Sequence, residues 1–106
     1  MTSSSLRMRC NETPECRVIE VAGRLDASNA SFFESVALAA IAACRHVVID
    51  LRGLTAVSHG SAGSLIAVAN HGGLRGAQVE FVGLGSASRT FTYVRDALQR
   101  LGVTLS

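Results

Sequence analysis

VVIDLRGLTAVSHGSAGSLI, residues Val47 to Ile66, is the segment from which the architecture of this chain can be worked out. It opens with a continuous apolar run that ends in Asp50-Leu51, the pattern of a buried β-strand. A connector, Arg52 to Val57, leads to a turn of small and polar residues at 58–61, after which apolar residues return with helical spacing. Because a helix N-terminus exposes backbone N–H groups, this strand, turn and helix form a place where an anion is stabilised.

Strand and helix patterns alternate on both sides of this segment. Strands are predicted at residues 6–10, 17–22, 47–51, 77–83 and 103–105. Helices are expected after a capping box of Ser31 and Glu34, from Ser61 to Leu74, and after Ser86. Strand–helix–strand units place parallel strands side by side through right-handed crossovers. The sequence therefore predicts one α/β domain over residues 1–106, with a flexible tail at 1–5 and a small mixed sheet of four to five strands on which about three helices pack.

Each predicted helix carries one apolar face, as expected for helices that cover a sheet. The inward residues are expected to be Phe33, Val36, Ala37, Ala40, Ile41 and Cys44 in the first helix, Leu65, Ile66 and Ala69 in the second, and Phe91, Val94, Leu98 and Leu101 in the third.

Composition narrows the functional classes. The net charge is +2, and the ten basic residues are all arginines scattered along the chain. There is one Tyr and no Trp, so the basic stripe with interleaved aromatic residues that is typical of nucleic-acid binding is missing. The apolar runs are too short to span a membrane, and no signal peptide pattern opens the chain. We therefore expect a cytoplasmic protein that does not bind nucleic acid or insert into a membrane.

The three cysteines do not suggest a disulfide framework in a reducing compartment. Cys10 and Cys16 flank a hairpin-like turn and could face each other across it. Two small residues in a hairpin are favoured over a redox pair, but both interpretations stay open. Cys44 lies on an apolar helical face and is expected to belong to the core.

Catalysis has weak support in the sequence. Ser58 and His59 are adjacent, and neighbours in a turn rarely point at one another as a nucleophile and its base must. Asp26 and Asp50 are the only plausible third members of a triad. We therefore expect no enzymatic activity.

Metal and cofactor sites have no better support. His59 and His71 lie near opposite ends of one predicted helix, and the Cys44–His46 segment has no second ligand pair at a matching spacing. The Gly83–Ser86 turn lacks the third glycine of a dinucleotide loop. No metal or cofactor is predicted.

The turn at 58–61 carries the strongest functional signal. Ser58 is a candidate N-cap for the second helix, because its hydroxyl can accept from backbone N–H groups of the first turn. A phosphate on a turn hydroxyl would sit at the positive end of that helix and act as a switch. The competing interpretation is that the serines only cap the helix.

Three segments, taken in their order along the chain, resemble the STAS domain. This module is found in anti-sigma-factor antagonists and at the end of sulfate transporters. Gly23-Arg24-Leu25-Asp26 is similar to the family's G-x-L-D, and Val47–Leu51 is similar to its V-V-L-D-L strand. Arg75-Gly76 and the strand that ends at Gly83 resemble its R-G-x-x-L-x-L-V-G. The resemblance covers about Val18 to Leu101 and implies the STAS fold.

The family's regulatory motif is D-S-S/A/T-G, whose first Ser accepts phosphate from a partner kinase. Without gaps, the motif falls on residues 58–61, so His59 occupies the phosphoacceptor position and Ser58 replaces the Asp. A second register takes Ser61-Ala62-Gly63 as S-A-G, with Gly60 in place of the Asp. The ungapped register is favoured, and it implies a turn that a Ser/Thr kinase cannot switch at the usual position.

The resemblance implies a regulatory interaction module like an anti-sigma-factor antagonist in a partner-switching system. Its partner would be an anti-sigma factor or a switch kinase of the ATP-binding type, and a homodimer is left open. The alternative is a STAS subunit of a phospholipid-trafficking ABC transporter, docked on the transporter ATPase. The candidate phosphosites are Ser61 and Ser58, and the candidate partner-binding residues are Asp26, Ser58, His59, Gly60, Ser61, Ala62 and Ser64.

Overall fold

The computed structural model describes residues 2–3, 5–13, 16–83 and 89–105. In chain order, its elements are β1 (Thr2–Ser3), β2 (Leu6–Glu12), β3 (Cys16–Leu25), α1 (Ala30–Ala43), β4 (His46–Val57), a 3-10 turn (His59–Ser61), α2 (Ala62–Leu74), β5 (Gln78–Val82), α3 (Arg89–Arg100) and β6 (Thr104–Leu105).

Within these described residues, six strands form one sheet in the order β1-β2-β3-β4-β5-β6. The first three are antiparallel neighbours, and β3 to β6 are parallel. The predicted mixed α/β sheet with helices packed on it is confirmed. The sheet has one strand more than predicted because Thr2 and Ser3 pair with Arg7 and Leu6, in a segment without a strand pattern.

The helices cover one face of the sheet. Sequential parallel strands joined by right-handed crossovers place their helices on the same side. In β3 and β4 the residues Ile19, Val21, Val47 and Ile49 are at most 1% exposed, whereas their strand neighbours are half-buried. The hydrophobic core therefore lies between the sheet and the three helices.

The predicted helix faces are largely confirmed. Of the residues predicted to face inward, those that are fully or nearly fully buried are Phe33, Ala37, Ala40 and Ile41 in α1, Leu65 and Ala69 in α2, and Val94 and Leu98 in α3. Val36, Cys44 and Ile66 are only half-buried, and Leu101 is 45% exposed because it follows the last residue of α3. The side chain of Phe91 and residues 84–88 before α3 lie outside the described residues.

The prediction of a connector at Arg52–Val57 was wrong, because β4 continues to Val57. The pairing of β3 with β4 shifts register between Glu20 and Ala22 and again between Gly23 and Arg24. Buried residues of β4 accordingly change from a spacing of two at 47, 49 and 51 to a spacing of three at 51, 54 and 57. The bulges therefore remove the alternation by which a strand is recognised in a sequence.

One further local prediction was wrong, and one open alternative is decided. Helix α1 begins at Ala30 with Asn29 at the N-cap position, so Ser31 lies inside the helix and the Ser31–Glu34 capping box does not start it. Cys10 does not face Cys16, because Cys10 is paired with Ile19 across the hairpin. All three cysteines are free thiols.

Candidate functional site

The sheet brings the Asp26 loop and the 58–61 turn together. Leu25 at the end of β3 is paired with Val57 at the end of β4, and the backbone N–H of Ser58 donates to the Leu25 carbonyl at 2.9 Å. Since β3 and β4 are parallel, the residues that follow them leave the same edge of the sheet. Two segments that the sequence singled out separately thus form one surface.

The turn itself is a single 3-10 turn that leads directly into α2. Ser58 is extended, and the backbone N–H of Ser61 donates to the Ser58 carbonyl at 3.0 Å. The Ser58 hydroxyl donates to Oγ of Ser61 at 2.7 Å and makes no capping bond to a backbone N–H group. The prediction that Ser58 caps α2 is therefore wrong, because the 3-10 turn separates Ser58 from the helix.

The predicted site residues divide into an exposed and a buried set. His59 and Gly60 are exposed, and Asp26 and Ser58 are half-buried. In contrast, Ser61 and Ala62 are 1% exposed and Ser64 is 9% exposed, so these three support the turn from beneath. A Cβ placed on Gly60 would meet nothing within 4 Å, which shows that the tip of the turn faces open space.

Asn29, which is not among the predicted site residues, holds the Asp26 loop in place. It is 1% exposed; its amide donates to the Arg24 carbonyl at 2.9 Å, and its Oδ1 accepts from the Asp26 N–H at 2.9 Å. The only signal in the sequence was an Asn just before an apolar helical pattern, where N-cap residues are common.

The Asp26 carboxylate is anionic and locally satisfied. The hydroxyl and the backbone N–H of Ser28 both donate to its Oδ1. The hydroxyl bond is the largest cause that lowers the pKa of Asp26 below its ordinary value; partial burial opposes it. The turn therefore has a fixed negative charge beside it.

A second unexpected residue, Tyr93 of α3, lies against the turn. The rings of His59 and Tyr93 have centroids 6.3 Å apart and are tilted by 37°. Tyr93 is 55% exposed, so its ring remains largely available to a partner. Tyr93 is the chain's single tyrosine, and the sequence did not indicate that α3 would reach the turn.

The arrangement gives no support for nucleophilic catalysis. The Ser58 hydroxyl bonds to Ser61 and not to His59, and Asp26 is engaged by Ser28. Asp50 is held by Arg52, whose Nη2 lies 2.7 Å from Oδ2 and lowers the pKa of that carboxyl. Across the described ranges, no three His, Cys, Asp or Glu side chains are grouped as metal ligands would be.

Comparison with known proteins identifies the family. The family model described as "Mlab, STAS domain" matches residues 8–104. The chain belongs to the STAS domain family. No curated protein matches it at a significant level.

Several solved structures share the fold at low sequence identity. An anti-sigma factor antagonist from Mycobacterium paratuberculosis superposes with a TM-score of 0.76 at 20% identity, covering 99% of this chain and 89% of that one. The STAS domain of an antisigma-factor antagonist from Rhodobacter sphaeroides gives 0.69 at 22% identity, covering 84% and 98%. The phosphorylated form of the Bacillus cell fate determinant SpoIIAA gives 0.69 at 18% identity, covering 94% and 89%.

In the described part of this STAS domain, no helix is both long enough and apolar enough to cross a membrane.

Proposed function

We propose that this STAS domain is a regulatory interaction module of the anti-sigma-factor-antagonist type. It docks on an anti-sigma factor or an ATP-binding switch kinase in the cytoplasm and catalyses no reaction itself. The observation that carries the proposal is the surface at the end of β3 and β4, where Asp26 lies beside the turn of Ser58, His59 and Gly60, and where the ring of Tyr93 lies 6.3 Å from that of His59. These five residues are called the turn surface below. The structures named above, which are anti-sigma factor antagonists of the same fold, support this choice of partner.

The composition of the turn surface suits protein docking. The rings of His59 and Tyr93 are exposed near each other, and tyrosine is among the residues that often dominate binding energy in protein interfaces. Gly60 leaves the tip of the turn without a side chain, so that a partner's backbone can approach closely. Asp26 adds a charge that favours a complementary basic group.

We further propose that the phosphate switch is absent from this turn. In the ungapped register the phosphoacceptor position is His59, which has no hydroxyl. In the other register the acceptor is Ser61, which is 1% exposed and accepts the hydroxyl hydrogen bond of Ser58. A kinase would have to open the turn to reach Ser61, and the half-buried Ser58 replaces the usual Asp. The protein would then bind its partner constitutively.

The second candidate function is a STAS subunit docked on the ATPase of a phospholipid-trafficking transporter. The same observation favours it, because a turn with His59 at the phosphoacceptor position suits a permanently assembled subunit. Both functions use the turn surface, and they differ in the partner.

Co-purification from the native host with an affinity-tagged chain, followed by mass spectrometry and reconstitution from purified components, tests the proposal. We expect an ATP-binding anti-sigma factor or kinase that binds the wild-type chain and the exposed-helix control Ala39→Arg equally. Gly60→Arg should abolish binding without unfolding the domain, since its side chain enters open space. A transporter ATPase in its place supports the second candidate, and full binding of Gly60→Arg contradicts both.

A further inference from the structure

A cleft opens at the end of the domain opposite the turn surface. It lies between the end of α1 and the end of α2, has a volume of about 400 Å³, and is lined by residues 41–45 and 75–77. The strands β4 and β5 begin at this end, whereas the turn surface follows the carboxyl end of β4. The two surfaces therefore lie at opposite ends of the same strand.

Two arginines give the cleft its charge. Arg45 and Arg75 line it, both are exposed, and neither forms an ion pair with a described residue. Glu12, a carboxylate near this end of the sheet, is already paired with Arg17 at 3.1 Å. The negative ends of the α1 and α2 dipoles favour the two arginines. No ion pair with a described residue engages the guanidinium group of either arginine.

Two exposed leucines adjoin the cleft, one as the chain neighbour of Arg75 and one in a neighbouring groove. Leu74, the last residue of α2, is 80% exposed and directly precedes Arg75. A groove of about 190 Å³ adjoins the cleft at Ala77 and is lined by Gly73 and Leu101, of which Leu101 is 45% exposed. The exposed leucines offer apolar surface next to the two arginines, and arginine is among the residues enriched in protein interfaces.

We propose that Arg45, Leu74, Arg75 and Leu101 form a second docking surface for a protein segment that carries carboxylates beside an apolar side chain. The carboxylates pair with the planar guanidinium groups, which bind them in a bidentate manner. The apolar side chain covers Leu74 and enters the groove beside Leu101. Because this surface is separate from the turn surface, the domain can hold two partners at once.

The charge of the surface selects this occupant over a second copy of the chain. A twofold dimer joins the same patch of both copies, so it would bring unpaired arginines against unpaired arginines. Like charges placed together across an interface are unfavourable. An acidic partner instead places carboxylates against the arginines, so that the charges attract.

Phage display of a random peptide library, selected for binding to the full chain, tests the proposal. The selected peptides are synthesised, and their affinities for the chain are measured by fluorescence anisotropy. We expect peptides that combine Asp or Glu with Leu, Ile or Phe. Their affinity should fall about tenfold or more for Arg45→Gln/Arg75→Gln and for Leu74→Ser. It should be unchanged for Arg7→Gln/Arg9→Gln, which removes the same charge from exposed positions of β2, and for Gly60→Arg.

Three results would overturn the proposal. One is the absence of acidic peptides among those selected. Another is equal binding by Arg45→Gln/Arg75→Gln, or loss of binding by Gly60→Arg, which would place the peptides elsewhere. The third is concentration-dependent self-association of the wild-type chain that Leu74→Ser abolishes, which would make a second copy the occupant. Circular dichroism of each variant establishes that the domain is folded.

Discussion

The backbone N–H of Ser58 donates to the carbonyl of Leu25 at 2.9 Å, and this bond joins the ends of two parallel strands from which the turn surface extends. Because this hydrogen bond joins backbone atoms, it fixes the 58–61 turn beside the Asp26 loop without the help of any side chain. The loop and the turn are therefore held by the sheet itself, and their exposed residues can differ without loss of the fold.

Tyr93 is expected to contribute to partner binding through the ring that it places beside His59. Tyr93→Ala should weaken binding of the purified partner about tenfold in calorimetric titration, whereas Tyr93→Phe, which keeps the ring, should stay within about threefold. The unfolding midpoint should change little because Tyr93 is 55% exposed. The exposed Gln99→Ala on the same helix is the control, and an unchanged affinity of Tyr93→Ala would remove Tyr93 from the turn surface.

Asn29 should be important for stability although it is a polar residue outside the hydrophobic core. Asn29→Ala leaves the Arg24 carbonyl and the Asp26 N–H without their hydrogen-bond partner, at a cost of about 2 kcal/mol in the free energy of unfolding. Urea unfolding of this variant measures the loss. The exposed Asn11→Ala should stay within about 0.5 kcal/mol of the wild type, and a similarly small change for Asn29→Ala would show that the loop does not depend on Asn29.

Two neighbouring glycines of α2 should respond in opposite directions to alanine. A Cβ on Gly72 would collide with Cγ2 of the buried Val79, so Gly72→Ala should destabilise the domain by about 1–2 kcal/mol despite its better helix propensity. A Cβ on Gly73 meets nothing within 4 Å, so Gly73→Ala should stabilise it by about 0.5–1 kcal/mol. Equal effects, measured by thermal unfolding, would contradict the close packing of α2 on β5.

Acid should weaken the domain through Asp50. The Arg52 guanidinium lowers the pKa of Asp50 below its ordinary value of 3.8, so the folded state binds fewer protons at that carboxyl than the unfolded state. The resulting stability is present above the unfolded pKa and is lost as pH falls through the lower, folded pKa. Carboxyl-carbon NMR titration of the wild type and Arg52→Gln should show the pKa of Asp50 rising in the variant, and equal titration curves would contradict this role of Arg52.

Much of the fold could be predicted because the apolar spacing in α1 and in Val47–Leu51 directly reflects burial. The extension of β4 to Val57 could not, since two bulges in its pairing with β3 abolish the alternation. The bulges arise from the pairing of β3 with β4, so the sequence of either strand alone does not indicate where they lie. The predicted capping box at Ser31 was wrong for a related reason. The loop that begins at Asp26 places Asn29 at the N-cap position of α1.

The sequence indicated which segments form the candidate site, but it did not indicate which residues pack around them. Family resemblance selected Asp26 and the 58–61 turn, and the sheet places both at one edge. The burial of Ser61 and the contact of Tyr93 with His59 arise from the way α2 and α3 pack. Such contacts join distant parts of the chain, so no local pattern predicts them.

The central claim is that the turn surface is a docking site without a phosphate switch. Its most direct test is to measure the affinity of the purified partner for this chain before and after incubation with the cognate switch kinase and ATP. We predict that the wild-type chain gains no phosphate by intact mass and keeps its affinity. His59→Ser, which restores a hydroxyl at the exposed position, should become phosphorylated and lose binding. Phosphorylation of the wild-type chain at Ser61 or Ser58 with loss of partner binding would contradict the proposal.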